Sequence, residues 1–147
     1  MADEYLKTKP LSLSAQLLLI RDFYHEILEA SEISKGVLKC ILRLQPSADC
    51  KEYRVLVKYK ISDYSPKAWI LSPELKTNGD KAPHHLYGYD ENGHPLLCVY
   101  DPRCKEWNQQ MSIAKAFIPW IITWLNTYEY WLITGEWDYP EAGNAER

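Results

Sequence analysis

Residues 37–71 read VLKCILRLQPSADCKEYRVLVKYKISDYSPKAWIL, and their hydrophobic period is two. In Val37–Leu44 the residues Leu38, Cys40, Leu42 and Leu44 fall on one side, with Lys39 and Arg43 on the other. Tyr53, Val55, Val57, Tyr59 and Ile61 alternate in the same way with Arg54, Lys58 and Lys60. Strict alternation is the signature of a strand with one buried face. Pro46-Ser47-Ala48-Asp49 and Ser62-Asp63-Tyr64-Ser65-Pro66 supply turn chemistry between these runs, and Ala68–Leu71 makes a third short strand that Pro73 stops. Three strands joined by short turns form an antiparallel meander.

Upstream, the period changes to that of a helix. Leu13, Leu17, Ile20, Tyr24 and Ile27 recur at steps of three and four, which predicts a helix over 12–30 with one apolar stripe and Ser12 or Ser14 as its N-cap. Downstream, the segment from Lys76 to Gln110 shows little periodicity and frequent Gly, Pro and Asn. Irregular stretches of that length inside a domain are uncommon and usually functional. Tyr87, Tyr89, Leu96, Leu97, Val99, Tyr100 and Trp107 give it too much apolar area to stay in water. The last third is helical again. Helices are expected over Met111–Ile118 and Ile121–Thr134, with a break or kink at Pro119 and Gly135 at the C′ position. Trp124, Tyr128 and Trp131 lie on one stripe of the second helix, which reads as core. The fold class is therefore α+β: an N-terminal helix, an antiparallel β-meander, an irregular segment that holds the candidate site, and C-terminal helices. The 147 residues suit a single domain, with loose termini at about 1–11 and 140–147.

Composition narrows the function. The formal net charge is −3 and the pI about 5.8, which argues against a general nucleic-acid binder. Lys51, Arg54, Lys58 and Lys60 cluster in sequence but alternate with apolar residues, and read as the solvated face of a strand. Six Trp and eleven Tyr against two Phe put part of the aromatic set at a half-wet surface. The N-terminal MADEYLKTKP lacks the layout of a signal peptide, and no run of apolar residues is long enough to span a membrane, so a cytoplasmic protein without membrane partners is expected. There Cys40, Cys50, Cys98 and Cys104 should be reduced. Cys40 alternates onto an apolar strand face and reads as core, whereas Cys50 lies in a turn.

The irregular segment holds His84, His85 and His94 together with Cys98 and Cys104. These residue types serve two chemistries. Imidazole and thiolate are zinc ligands, but the Cys98–Cys104 spacing matches no familiar structural site, so no metal and no cofactor is assigned. A thiolate is also a nucleophile that can carry an acyl group as a thioester, given a donor for the developing oxyanion. Cys98 is the candidate for that role.

The order of motifs around it resembles the ubiquitin-conjugating enzyme fold. Tyr64-Ser65-Pro66 leads into Ala68-Trp69-Ile70. His85-Leu86-Tyr87 stands ahead of Leu97-Cys98-Val99, and Trp107-Asn108-Gln109 precedes a helix opening at Ser112. The resemblance covers roughly residues 12–125. Ile118-Pro119-Trp120, Trp124-Leu125, Tyr128-Glu129, Trp131-Leu132 and Thr134-Gly135-Glu136-Trp137 are similar, more specifically, to the bacterial ubiquitin-conjugating-like proteins of short type II cyclic-oligonucleotide antiphage defence systems, the CBASS group. The resemblance implies a cysteine-dependent transferase whose Cys98 forms a thioester with the C-terminal tail of a partner protein, the cyclic-nucleotide synthase of the system, and tunes that enzyme's output. It implies that His85 and Tyr87 shape the site and that Trp107 packs under the loop after the cysteine. The family's oxyanion asparagine has no counterpart beside His85; Tyr87 or Asn92 is left to substitute. Cys104 is read as an incidental thiol, with a resolving role as the alternative. The missing amide keeps a rival open, in which the same fold is a catalytically silent binding module.

Overall fold

The computed structural model describes residues 9–99 and 106–137. The expected loose termini fall mostly outside these residues, as do Cys104 and the rest of 100–105 in the loop after Cys98. Helix α1, Leu13–Tyr24, is followed by strands β1 (Leu28–Ser34), β2 (Val37–Leu44), β3 (Tyr53–Tyr59), β4 (Lys67–Ser72), β5 (Leu86–Tyr89) and β6 (Pro95–Leu97). A π-helical turn, Ile113–Phe117, then runs into helix α2, Ile118–Thr134. The strands form one antiparallel sheet in the order β1-β2-β3-β4-β6-β5.

The alternation in residues 37–61 has the predicted consequence. Leu38 pairs with Tyr59, Cys40 with Val57, Leu42 with Val55 and Leu44 with Tyr53, so the apolar faces of β2 and β3 coincide, and all eight side chains are buried. Ile20 of α1 and Ile121, Trp124, Leu125, Tyr128 and Trp131 of α2 pack into the same core, together with Ala68 and Ile70 of β4 and Ile113 and Phe117 of the π-helical turn. The aromatic stripe of α2 is therefore core, as its spacing predicts. Tyr128 stacks on Trp124 at a centroid distance of 5.7 Å and meets Tyr53 edge-on at 6.3 Å. Among the described residues no helix is long and apolar enough to cross a membrane.

The expected elements differ from the observed ones at three places. The first helix stops at Tyr24 rather than Ala30, and residues 28–34 form β1. The sequence LEASEIS has no strong β-preference. It is extended because it pairs with β2 through a two-residue hairpin in which Lys35 (φ 53°) and Gly36 (φ 76°) both take the positive φ that such turns need. The segment expected to be irregular contains the β5–β6 hairpin, whose strands of four and three residues are too short to reveal a period. The expected break at Pro119 is instead a continuous helical path. Ile118 N–H bonds to Ile113 O across a wide turn, and Pro119 stands in the first turn of α2, where no intrahelical partner for its nitrogen is required.

Buried polar bonds fasten α1 to the start of the C-terminal helical segment. Gln16 is wholly buried in the stripe of α1; its Nε2 donates to Met111 O at 2.9 Å, and its Oε1 accepts from Ile113 N–H at 2.8 Å. Tyr24 Oη donates to Ala114 O at 2.9 Å. Ser12 caps α1 by accepting from Ala15 N–H, and Ser112 caps the turn by accepting from Lys115 N–H.

Candidate active site around Cys98

Cys98 follows the last residue of β6. The in–out alternation of that strand continues past its end: Pro95, Leu97 and Val99 are buried, whereas Leu96 and Cys98 between them are partly exposed. Cys98 thus falls on the less buried side of its strand. Cys98 N–H donates to His85 O at 2.9 Å, one rung beyond the Leu86–Leu97 pair, so the ladder itself brings His85 and Cys98 together.

His85 has φ 58°, a left-handed conformation that a side chain with a Cβ rarely adopts. Two bonds converge on its carbonyl and hold it there. One comes from Cys98, and the other from the indole Nε1 of Trp124 in α2, at 3.1 Å. Strain of this kind persists only where the surroundings over-determine it, and it concentrates at functional sites. A histidine–tryptophan cluster backs the rung. The His84 ring stacks on Trp137 at 5.3 Å with 9° between planes, and the His85 ring tilts against Trp137 at 5.6 Å. Trp137 also packs edge-on against Trp124 at 5.3 Å and Trp131 at 5.7 Å. Sequence reasoning missed the part played by Trp124 and Trp137. Helical spacing puts Trp124 on an apolar stripe, which Trp137 flanks from beyond the helix end, but it says nothing of which strand end lies against them.

Tyr87 is the extra residue where the β5–β6 register shifts, since Leu86 pairs with Leu97 and Gly88 with Leu96. A bulge re-aims the side chain it carries. Tyr87 is 58% exposed, two residues from His85 on the strand that pairs with the cysteine's own. Asn92 lies elsewhere. It sits in the turn at the hairpin tip, where its N–H and that of His94 both donate to Asp90 Oδ1, at 2.9 and 2.8 Å. At roughly 3.3 Å per strand residue the tip is more than about 10 Å from the Cys98 rung, so the fold does not bring this amide to the sulfur. Burial alone would raise the Asp90 carboxyl, but the donors of His94 and Asn92 outweigh it and hold the group below its usual range. His94 Nδ1 lies 3.0 Å from Asp90 Oδ2, at the opposite end of the hairpin from His85.

Trp107 is buried beneath the β3–β4 turn. Its Nε1 donates to Tyr64 O, and Tyr64 Oη donates to Trp107 O, each at 2.9 Å. Its ring meets Tyr59 and Phe117 edge-on at 6.0 and 6.4 Å. The loop it was expected to support lies outside the described residues. Of the other cysteines, Cys40 is buried among aliphatic side chains, and desolvation, weakly opposed by the charge of Arg21, pushes its thiol up to about 11. Cys50 Sγ lies 3.0 Å from Ser47 Oγ in the turn after β2. Among the described residues no three His, Cys, Asp or Glu side chains converge in a way that could hold a metal ion.

The family model described as type II CBASS E2 protein matches residues 16–145, most of α1 and everything from β1 through α2. The chain belongs to the type II CBASS E2 family. No curated protein matches it. Membership ties this CBASS E2 protein to antiphage defence, and the matched span includes the His85–Cys98 rung and the tryptophans that back it.

Proposed function

We propose that this type II CBASS E2 protein is a thioester-forming transferase with a ubiquitin-conjugating-like fold and Cys98 as its nucleophile. The observation that carries the reading is the Cys98 rung: a partly exposed cysteine just past a strand end, held beside a strained histidine whose carbonyl is bonded by the Cys98 N–H and by Trp124 of α2. The partner is a protein C-terminus, that of the cyclic-nucleotide synthase of the defence system, and the modification regulates that synthase. In the reaction the thiolate attacks an activated C-terminal carbonyl, an acyl adenylate or another thioester, because a free carboxylate has no adequate leaving group. The carbon–sulfur bond forms as the bond to the activating group breaks. An amine later attacks the thioester and releases the thiol. His85 stands opposite Cys98 on the ladder, and the exposed Tyr87, two residues further along that strand, supplies the donor that an amide would otherwise provide.

A second reading rests on the placement of Asn92. With that amide at the hairpin tip, the same surface can hold a partner's tail without acylation. One experiment separates the two. Incubated with the synthase and its activating system, the native chain is expected to give an adduct on non-reducing gels that reductant removes. Cys98→Ala is expected to give none, and Cys98→Ser to give one that reductant does not remove. A reductant-sensitive adduct that survives Cys98→Ala overturns the nucleophile assignment. Undiminished partner capture by Cys98→Ala, with no covalent species in the native protein, favours the binding module.

A further inference from the structure

The side of the sheet opposite the core carries an ordered pattern that the single-strand periodicity does not reveal. Register aligns Glu32, Lys39, Lys58 and Lys67 in one row across β1 to β4. Two residues further along each strand, Ala30, Ile41, Leu56, Trp69 and Leu96 form a second row that reaches β6. The side chains of Ile41, Leu56, Trp69 and Leu96 are only partly buried, whereas their neighbours on the core face are almost fully so. The lysine row and Lys60 border a concavity of about 350 Å³ with Trp69 in its wall, and Lys58 Nζ stands 5.2 Å from the Trp69 ring centroid.

Three lysines directly opposite one another on neighbouring strands repel, and repulsion between cross-strand like charges is destabilising. Glu32 at the end of the row and Asp63 at the rim offset only part of it. The remaining positive charge stands on a chain whose net charge is −3. A concentrated basic site on an acidic protein, bordering an apolar band, complements an anionic surface that carries apolar side chains.

We infer that this open sheet face is a docking site for an acidic, apolar-anchored segment of a protein partner. Lys39, Lys58, Lys60 and Lys67 receive its carboxylates, and Trp69 with the Ile41–Leu56–Leu96 band receives its apolar side chains. A polynucleotide is the poorer fit. The aliphatic band offers nothing to a phosphate backbone, and the chain's overall negative charge opposes a long polyanion. An apolar centre rimmed by charge is the anatomy of a protein–protein contact. Leu96 of the band shares its side of the strand with Cys98, but the docking itself requires no thiol.

The test uses the full chain and three fluorescent probes read by anisotropy. They are a peptide of roughly ten residues alternating Glu with Leu, the same peptide with Gln for Glu, and a single-stranded oligonucleotide of equal charge. The Glu peptide is expected to bind, to weaken with added salt, and to lose about tenfold or more in affinity to the Lys58→Glu, Lys67→Glu double variant and to Trp69→Ala. The Gln peptide is expected to bind at least about tenfold more weakly than its Glu counterpart. Circular dichroism checks that each variant is folded. Should the double reversal misfold, Lys39→Gln and Lys60→Gln report the same loss in smaller steps. No binding of the Glu peptide, equal binding of both peptides, indifference to the lysine and tryptophan changes, or tighter binding of the oligonucleotide would each overturn the proposal.

Discussion

Cys40 and Cys98 stand on neighbouring levels of the same sheet, yet their surroundings give them opposite chemistry. Cys40 is enclosed by Leu38, Leu42 and Val57, whereas Cys98 is partly open at the end of β6. Brief treatment of the native protein with an alkylating agent, followed by peptide mass mapping, is therefore expected to label Cys98 and leave Cys40 unmodified until the protein is unfolded. Equal labelling of the two would contradict the packing. Cys40 also makes stability depend on alkaline pH. Its folded value is raised to about 11, above an unfolded value near 8.5, so the native state favours the neutral thiol. That contribution is complete below about pH 8.5 and fades as the pH rises towards 11, because the unfolded chain then releases a proton that the folded one keeps. Urea midpoints measured across this window are expected to fall less steeply for Cys40→Val than for the native chain.

At the scale of elements, the ends of the helices show how local chemistry fixes a boundary. Gly135 closes α2 with φ 78°, and its N–H donates to Trp131 O at 2.8 Å. A Cβ there would meet only Asn78 Nδ2, at 3.7 Å, so the cost of Gly135→Ala is conformational rather than steric. It is expected to destabilise the protein by about 1 kcal/mol, read as a lowered urea midpoint with an unchanged slope. Gln16 shows the opposite case, a polar residue that tertiary packing requires. Replacing it by Leu keeps the volume but leaves the part-buried Met111 O and the buried Ile113 N–H without their partner. A loss of about 2 kcal/mol or more is expected for Gln16→Leu by the same measurement, and a loss within about 0.5 kcal/mol would show that these groups find other partners. In sequence, Gln16 is an ordinary polar position beside an apolar stripe. Nothing within α1 reveals that the start of a helical segment 95 to 97 residues away needs its amide.

At the scale of the whole molecule, β2, β3 and β4, the direction of α1, the core stripe of α2 and its glycine stop could all be read from the chain, because each is decided by neighbours within one or two turns or strand residues. The exposed Tyr64, Tyr87, Tyr89 and Tyr130 likewise match the expectation of a half-wet aromatic set. The candidate site was legible only in part. Leu97-Cys98-Val99 and His85 stand out as motifs, but that one ladder bond joins them, and that Trp124 reaches the same carbonyl, depends on pairing between distant segments. The same holds for β1, for the β5–β6 hairpin and for the lysine row, each of which exists only through a partner strand. The covalent order of side chains thus determined which segments have a face to bury and with what period, since that follows from local geometry and water. Which faces meet, in what register and beside which ring was decided by the folded chain, because burial and hydrogen bonding reward the arrangement that satisfies all segments together.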